Sequence, residues 1–192
     1  MPDRNNADRR RQESLRHSFH PARLRLLFIG ESPPASGRFF YRGDSGLYRA
    51  MRDAFQTIDP SIADGNFLAM FQATGCYLID LCPEPVDPLN SKSRRAACRA
   101  SEVSRARTIA RIHPLMIATV VRSIEGNIAQ AAFRADWHGP FIHLPYPGRW
   151  SRYRDVFVET VVTKISALMQ QRTPCLSGQV EREPGKDVAR GN

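Results

Sequence analysis

A short apolar run that ends in glycine is the feature that most constrains the fold of this chain. Residues 24–29 read Leu-Arg-Leu-Leu-Phe-Ile, and Gly30-Glu31-Ser32-Pro33-Pro34 follows directly. Apolar residues on both faces are typical of a buried parallel strand, because a half-exposed strand would alternate with polar residues. Gly30 permits a sharp turn, and the prolines keep the next residues extended. The sequence therefore predicts a central strand that delivers the Glu31 carboxylate to one edge of a sheet.

Further apolar runs alternate with segments of helical periodicity. Strands are predicted over 75–82, 115–121 and 141–144, and helices over 45–57, 62–72, 91–113, 122–134 and 152–169. This alternation is typical of a parallel sheet that is covered by helices on both faces. We therefore predict an α/β fold, a three-layer α/β/α sandwich with a four-stranded, mainly parallel sheet.

The two polar ends of the sequence lie outside this pattern. Residues 1–20 are rich in arginine, aspartate and asparagine, and residues 172–192 are rich in polar residues, proline and glycine. Neither segment can bury much apolar surface, which favours disorder. We predict a disordered tail over 1–20, a single domain over 21–171 and a second disordered tail over 172–192.

The charge balance indicates the class of partner. The net charge is +9, from 28 lysine and arginine residues against 19 acidic residues, which favours a polyanion such as nucleic acid. No apolar run approaches the ~20 residues that span a bilayer, and residues 1–16 lack the apolar core of a secretory signal. The four cysteines show no CxxC pair and no zinc-like spacing. We expect a cytoplasmic monomer without a metal, a disulfide framework or a membrane contact.

Unusual loops follow the first, second and fourth predicted strands. The carboxyl ends of parallel strands meet at one edge of the sheet, where open α/β folds bind ligands. The residues expected there are Glu31, Phe39, Phe40, Tyr41, Asp80 and the loop from Tyr146 to Trp150. The sequence thus predicts one site that combines a carboxylate, aromatic rings and basic groups.

Two motifs in these loops resemble those of the uracil-DNA glycosylase superfamily, in particular the branch whose first motif reads GEAPG followed by GxPFVGxAG. The corresponding residues are Gly30-Glu31-Ser32-Pro33-Pro34, then 37–41 and 43–46. The second family motif, of HPSP type, falls at Tyr146-Pro147-Gly148-Arg149, with Tyr146 in place of histidine and Gly148 in place of serine. The resemblance extends from about Leu24 to Met169.

The resemblance implies hydrolysis of the N-glycosidic bond of uracil or another deaminated base in DNA, with the base flipped into a pocket. It assigns catalysis to Glu31, Tyr146 and His143, and base binding to Phe39, Phe40, Tyr41 and Asp80. Glu31 would hold the attacking water, the aromatic rings would stack on the base, and Asp80 would read its edge. Tyr146, Arg149 or His143 would donate to the departing base anion.

The same resemblance implies contacts with single- or double-stranded DNA through the loop after the last strand. Aromatic and basic side chains suit stacked bases and phosphates. The implied DNA contacts are Arg38, Arg42, Pro147, Gly148, Arg149, Trp150 and Arg152. The branch commonly carries a four-cysteine iron–sulfur cluster, but the cysteine spacing here does not match, so no cofactor is predicted.

Alternatives stay open at the level of both function and residues. The same fold could serve a non-catalytic nucleic-acid-binding module, or a hydrolase of free nucleosides or nucleotides. Glu31 could simply offset a helix dipole, and Asp80 could cap a loop. The arginine-rich helix that ends near His113 could be a solvated face or a phosphate-binding surface.

Overall fold

The computed structural model describes residues 3–148 and 150–170. The helices and strands of this part of the chain are α1 (Asp3–Ser18), β1 (Leu26–Gly30), α2 (Gly46–Ile58), α3 (Phe67–Ala73), β2 (Cys76–Asp80), α4 (Ser91–Ile112), β3 (Met116–Thr119), α5 (Glu125–Arg134), β4 (Phe141–His143) and α6 (Ser151–Gln170). Short 3-10 turns cover Phe40–Arg42, Asp64–Asn66 and Arg122–Ile124. The predicted tail over 172–192 lies outside the described residues.

The four strands form one parallel sheet in the order β2-β1-β3-β4. Helices cover both faces, with α2 against α6 in one layer and α4 against α5 in the other. The predicted three-layer α/β/α sandwich is therefore confirmed, and the sheet is parallel throughout. The expectation that β1 is central is also confirmed, because its apolar residues from Leu26 to Ile29 are at most 1% exposed.

The order in which the chain adds strands to the sheet reverses between the neighbouring strands β1 and β3. From β1 it passes through the layer of α2 to β2 on one side, and from β3 it passes through α5 to β4 on the other. The loops that leave β1 and β3 therefore diverge toward opposite faces. Such a switch point opens a crevice at the carboxyl ends of the strands, where doubly wound folds bind ligands.

An aromatic cluster fills the layer beneath the loop after β1. Phe28 of the central strand packs on Phe71, with ring centroids 5.7 Å apart, and Phe71 lies 5.3 Å from Phe40. Phe55 and Phe67 complete the cluster and are fully buried. The loop that follows Glu31 is thus attached to the core by its own aromatic residue.

The prediction of a disordered tail over residues 1–20 is wrong, because most of this segment forms α1. Arg16 of α1 pairs with Asp80, at 3.0 Å between Nη2 and Oδ2. Phe19 stacks on Tyr41, with centroids 5.5 Å apart, and the Gln72 amide donates to the carbonyl of His20 at 3.0 Å. The helix has almost no apolar face, so its composition resembles that of a disordered segment. The segment is attached by a buried ion pair, by an exposed one between Arg9 and Glu84, by ring contacts and by hydrogen bonds from Gln72.

Within the described ranges, no helix is both long and apolar enough to cross a membrane.

Candidate functional site

A cavity of about 350 Å³ opens at the switch point between β1 and β3. Its wall is formed by residues 30–34, Arg38, Phe39, Phe40, Ser45, Leu47, Asp80, Asp87, Arg94, Val120, Val121 and Tyr146. The cavity therefore brings together the predicted Glu31, Phe39, Phe40, Asp80 and Tyr146. We call it the switch-point cavity.

The strand register explains why these side chains meet. Gly30 lies opposite Asp80 on β2, and Ile29 lies opposite Thr119 on β3, so the three strands end at one level. A Cβ atom on Gly30 would lie 2.6 Å from Asp80 Oδ1, which only a glycine avoids. The close approach brings the residue after Gly30, which is Glu31, and Asp80 to the same cavity wall.

The carboxylate of Glu31 is held by Arg94 of α4. Arg94 Nε donates to Oε1 at 2.8 Å, and Nη2 donates to Oε2, so the contact is two-pronged. The Glu31 side chain is 13% exposed and that of Arg94 is 40% exposed. Hydrogen bonding to Glu31 raises the pKa of Arg94 above its usual value. The carboxylate is therefore held in a fixed orientation, and its partner arginine reaches solvent.

Two buried thiols lie behind this ion pair. Cys98 Sγ is 3.9 Å from Glu31 Oε1 and 3.7 Å from Cys82 Sγ. Burial, followed by the influence of Cys82, raises the pKa of the Cys98 thiol to about 12. A thiol that stays protonated at neutral pH is a poor nucleophile. The pair is therefore part of the packing behind Glu31.

Asp80 faces the same cavity but is paired with α1. Its side chain is 13% exposed, and that of its partner Arg16 is 11% exposed. Burial raises the pKa of Asp80, and the charges of Arg16 and Arg105 act against this shift. A ligand that approached Asp80 would have to compete with Arg16. This ion pair weakens the prediction that Asp80 reads a base edge.

The predicted aromatic trio divides between the cavity and the core. Phe39 and Phe40 line the cavity as wall residues that are 3% and 4% exposed. The prediction for Tyr41 is wrong, since its hydroxyl donates to the Leu78 carbonyl at 3.0 Å and accepts from the Leu78 amide at 2.7 Å. Tyr41 is thus a core residue that ties its loop to β2.

Tyr146 lies at the mouth of the cavity with 49% of the residue exposed. Its hydroxyl makes no hydrogen bond with another residue in the described part of the chain, so it can donate to a ligand. A Cβ on Gly148 would lie 2.2 Å from the Tyr146 ring, so this glycine permits the ring to fold over the loop. Pro147 is buried, which contradicts its assignment as a DNA contact.

His143 does not line the switch-point cavity, so its assignment to catalysis there is wrong. It ends β4, one strand beyond β3, and its Nδ1 atom lies 3.1 Å from Thr119 Oγ1 and 3.7 Å from Glu125 Oε1. Its ring stacks on Phe141 with the planes 7° apart. The residue belongs to the outer edge of the sheet.

Of the predicted DNA-contacting residues that the structure describes, Arg38 lines the cavity, while Arg42, Trp150 and Arg152 are not among its lining residues. Arg42 pairs with Asp44 at 3.3 Å, and Arg152 lies over the Tyr153 ring at 4.9 Å. Trp150 is 55% exposed just before α6. Arg149 lies outside the described residues. Exposed aromatic and cationic groups thus follow β4, as the sequence predicts.

Sequence reasoning missed the two arginines that pair with the acidic residues of the site. The spacing of α4 gives no signal that selects Arg94 among seven basic residues, and Arg16 falls in a segment predicted to be disordered. The two valines after β3, Val120 and Val121, could have been found, because they follow a strand that ends at the switch point.

Among the described residues, no group of three or more His, Cys, Asp or Glu side chains is arranged to hold a metal ion. No protein-family model matches the chain, and comparison with curated protein sequences gives no match.

Proposed function

We propose that this protein is a DNA glycosylase that hydrolyses the N-glycosidic bond of uracil or another deaminated base. The observation that carries the proposal is that Glu31, at 13% exposure, shares one cavity with Tyr146, which is half-exposed, and with Phe39 and Phe40. A carboxylate in a cavity wall, a hydrogen-bond donor and aromatic walls are the groups that this reaction needs. The resemblance of residues 30–34 to the first glycosylase motif gives independent support.

The reaction assigns different tasks to the two polar side chains. As the bond between the base and C1′ breaks, positive charge grows on the sugar and negative charge grows on the base. The Glu31 carboxylate stabilises the sugar cation and orients a water whose oxygen bonds to C1′. Tyr146 donates a hydrogen bond to the base anion, which then takes up a proton released by the attacking water.

The ion pair between Glu31 and Arg94 must open before the carboxylate can hold water. Arg94 occupies both carboxylate oxygens. Its side chain is 40% exposed, so it can move toward solvent or toward a phosphate of the substrate. A bound DNA strand would thereby release Glu31 only when substrate is present.

The same ion pair favours a second candidate function, a nucleic-acid-binding module without catalysis. A carboxylate that stays occupied by arginine is a structural group, and the surrounding basic residues would then bind DNA alone. Turnover distinguishes the two functions, because only the glycosylase leaves abasic sites.

We expect the purified protein to produce abasic sites in labelled single- or double-stranded oligonucleotides that contain uracil, hypoxanthine or xanthine. Alkaline cleavage of the abasic sites gives the yield. Glu31→Gln should lower the rate by about 10²–10³-fold, and Tyr146→Phe by a similar factor if it is the only anion donor. Free deoxyuridine in a parallel reaction tests whether the enzyme needs a DNA strand.

Glu84→Gln is the matched control, because Glu84 also follows a strand end but is 60% exposed and pairs with Arg9 outside the cavity. It should retain the wild-type rate. Equal abasic yields from the wild type and Glu31→Gln would overturn the catalytic assignment. DNA binding without any abasic product would favour the second candidate.

A further inference from the structure

A second hollow borders Glu31 and lies between α4 and α5. It has a volume of about 640 Å³ and shares two residues, Glu31 and Arg94, with the switch-point cavity. We call it the α4–α5 groove. The Glu31–Arg94 ion pair therefore borders both spaces.

Two cations of the groove have no partner within the described ranges. Arg95 and Arg99 line it, both are exposed, and neither makes an ion pair or hydrogen bond with another described residue. The acidic residues of the groove are already engaged, since Glu31 is paired with Arg94 and Glu102 accepts from Asn127 Nδ2 at 2.8 Å. With three arginines (Arg94, Arg95 and Arg99) against two carboxylates in its lining, the groove carries a net positive charge.

The spacing of the two arginines suits a repeating anion. They are one helical turn apart on α4, which places their Cβ atoms about 5–6 Å from each other. The opposite wall offers neutral polar groups from Ser123, Asn127 and Gln130. Paired cations with uncharged hydroxyl and amide groups are the usual contacts of a sugar–phosphate backbone.

We infer that the α4–α5 groove binds the phosphodiester backbone of the DNA strand whose target nucleotide occupies the switch-point cavity. Arg95 and Arg99 contact its phosphates. This inference rests on the proposed function, which identifies the ligand as DNA. It adds that the DNA strand runs across α4. The strand crosses from the groove into the cavity at Arg94.

The test measures the affinity for a fluorescein-labelled single-stranded oligonucleotide over a range of salt concentrations. Arg95→Ala/Arg99→Ala should reduce the slope of log affinity against log salt by about 1.4, because each lost phosphate contact on a single strand is worth about 0.7. The matched control is Arg107→Ala/Arg111→Ala, which removes the same charge from exposed positions of the same helix outside the groove. The control should leave the slope unchanged.

A second variant introduces repulsion into the groove itself. A Cβ on Gly126 would have no atom within 4 Å, so a side chain can start from this groove residue without a clash at its first atom. Gly126→Glu should weaken DNA binding by about 10-fold or more, whereas Gly126→Gln, of the same size, should weaken it much less.

The outcomes separate this inference from the proposed function. Equal slopes for the groove and control variants, or equal affinities for the Gly126 variants, would overturn the groove path even if abasic sites still form. Abasic sites at a wild-type rate with saturating DNA, together with the reduced slope, would support both proposals. A reduced slope without any abasic product would support the groove and overturn the glycosylase.

Discussion

The carboxylates that follow β1 and end β2 differ in what holds them. Glu31 and Asp80 are equally exposed, at 13%, face one cavity, and each pairs with an arginine from a helix. The partner of Glu31 is 40% exposed, whereas the partner of Asp80 is 11% exposed. An exposed arginine can exchange its carboxylate for another anion at little cost, and a buried arginine cannot. We therefore expect Glu31 to exchange its contact with Arg94 for other contacts, whereas Asp80 stays paired with Arg16.

The largest expected effect comes from breaking the buried pair of Asp80. Arg16→Ala leaves the Asp80 carboxylate in a desolvated site and removes a buried ion pair that attaches α1, so the free energy of unfolding should fall by about 3–5 kcal/mol. Urea denaturation measures this change. Arg9→Ala on the same helix is the control and should cost less than about 1 kcal/mol, because the Arg9–Glu84 pair is exposed. Equal losses from the two variants would contradict a structural role for the buried Asp80–Arg16 pair.

A smaller effect on stability is expected at Tyr41, whose hydroxyl ties the loop after β1 to the backbone of Leu78 on β2. Tyr41→Phe leaves two buried backbone groups without a partner and should lower the free energy of unfolding by about 1–3 kcal/mol. Nucleic-acid affinity should not change, since Tyr41 is a core residue. A change in nucleic-acid affinity with an unchanged free energy of unfolding would instead mean that Tyr41 contacts the ligand.

Alkaline pH gives a second measurement on Tyr41. Burial raises its pKa well above the usual 10.0, so the folded protein holds the hydroxyl proton more tightly than the unfolded chain. The contribution of Tyr41 to stability is fully present below pH 10. It is lost as the pH rises further, because the Tyr41 hydroxyl then ionises readily only in the unfolded chain. Tyr41→Phe should show a shallower loss of stability above pH 10. Some loss should persist, since burial also raises the pKa of Tyr77.

The smallest effect on stability is expected from breaking the Glu31–Arg94 pair. Arg94→Ala should change the free energy of unfolding by less than about 1 kcal/mol, because Arg94 is partly solvated and Glu31 opens to a cavity that water can enter. Thermal or urea denaturation of this variant beside Arg16→Ala gives the comparison directly. A loss of several kcal/mol would mean that the Glu31–Arg94 pair is as structural as the Asp80–Arg16 pair.

Prediction from sequence succeeded where a local pattern has a single structural solution. The apolar run before Gly30 has one low-energy place, the centre of a parallel sheet, and the strand order of the motifs then brings Glu31 and Tyr146 to one edge. It failed for residues whose neighbours come from distant elements. Tyr41 looks like an exposed loop aromatic until β2 is placed beside it, and the contacts of His143 with Thr119 and Glu125 follow from the pairing of β4 with β3.

The amino-acid sequence by itself determined the layers of this protein, the central strand and the delivery of a carboxylate to the strand ends, because periodicity and turn residues act locally. Tertiary structure alone decided which arginine neutralises which carboxylate, and that a polar N-terminal segment becomes α1. Ion pairs between residues more than sixty positions apart depend on helix placement and desolvation, and neither quantity is written in the local sequence.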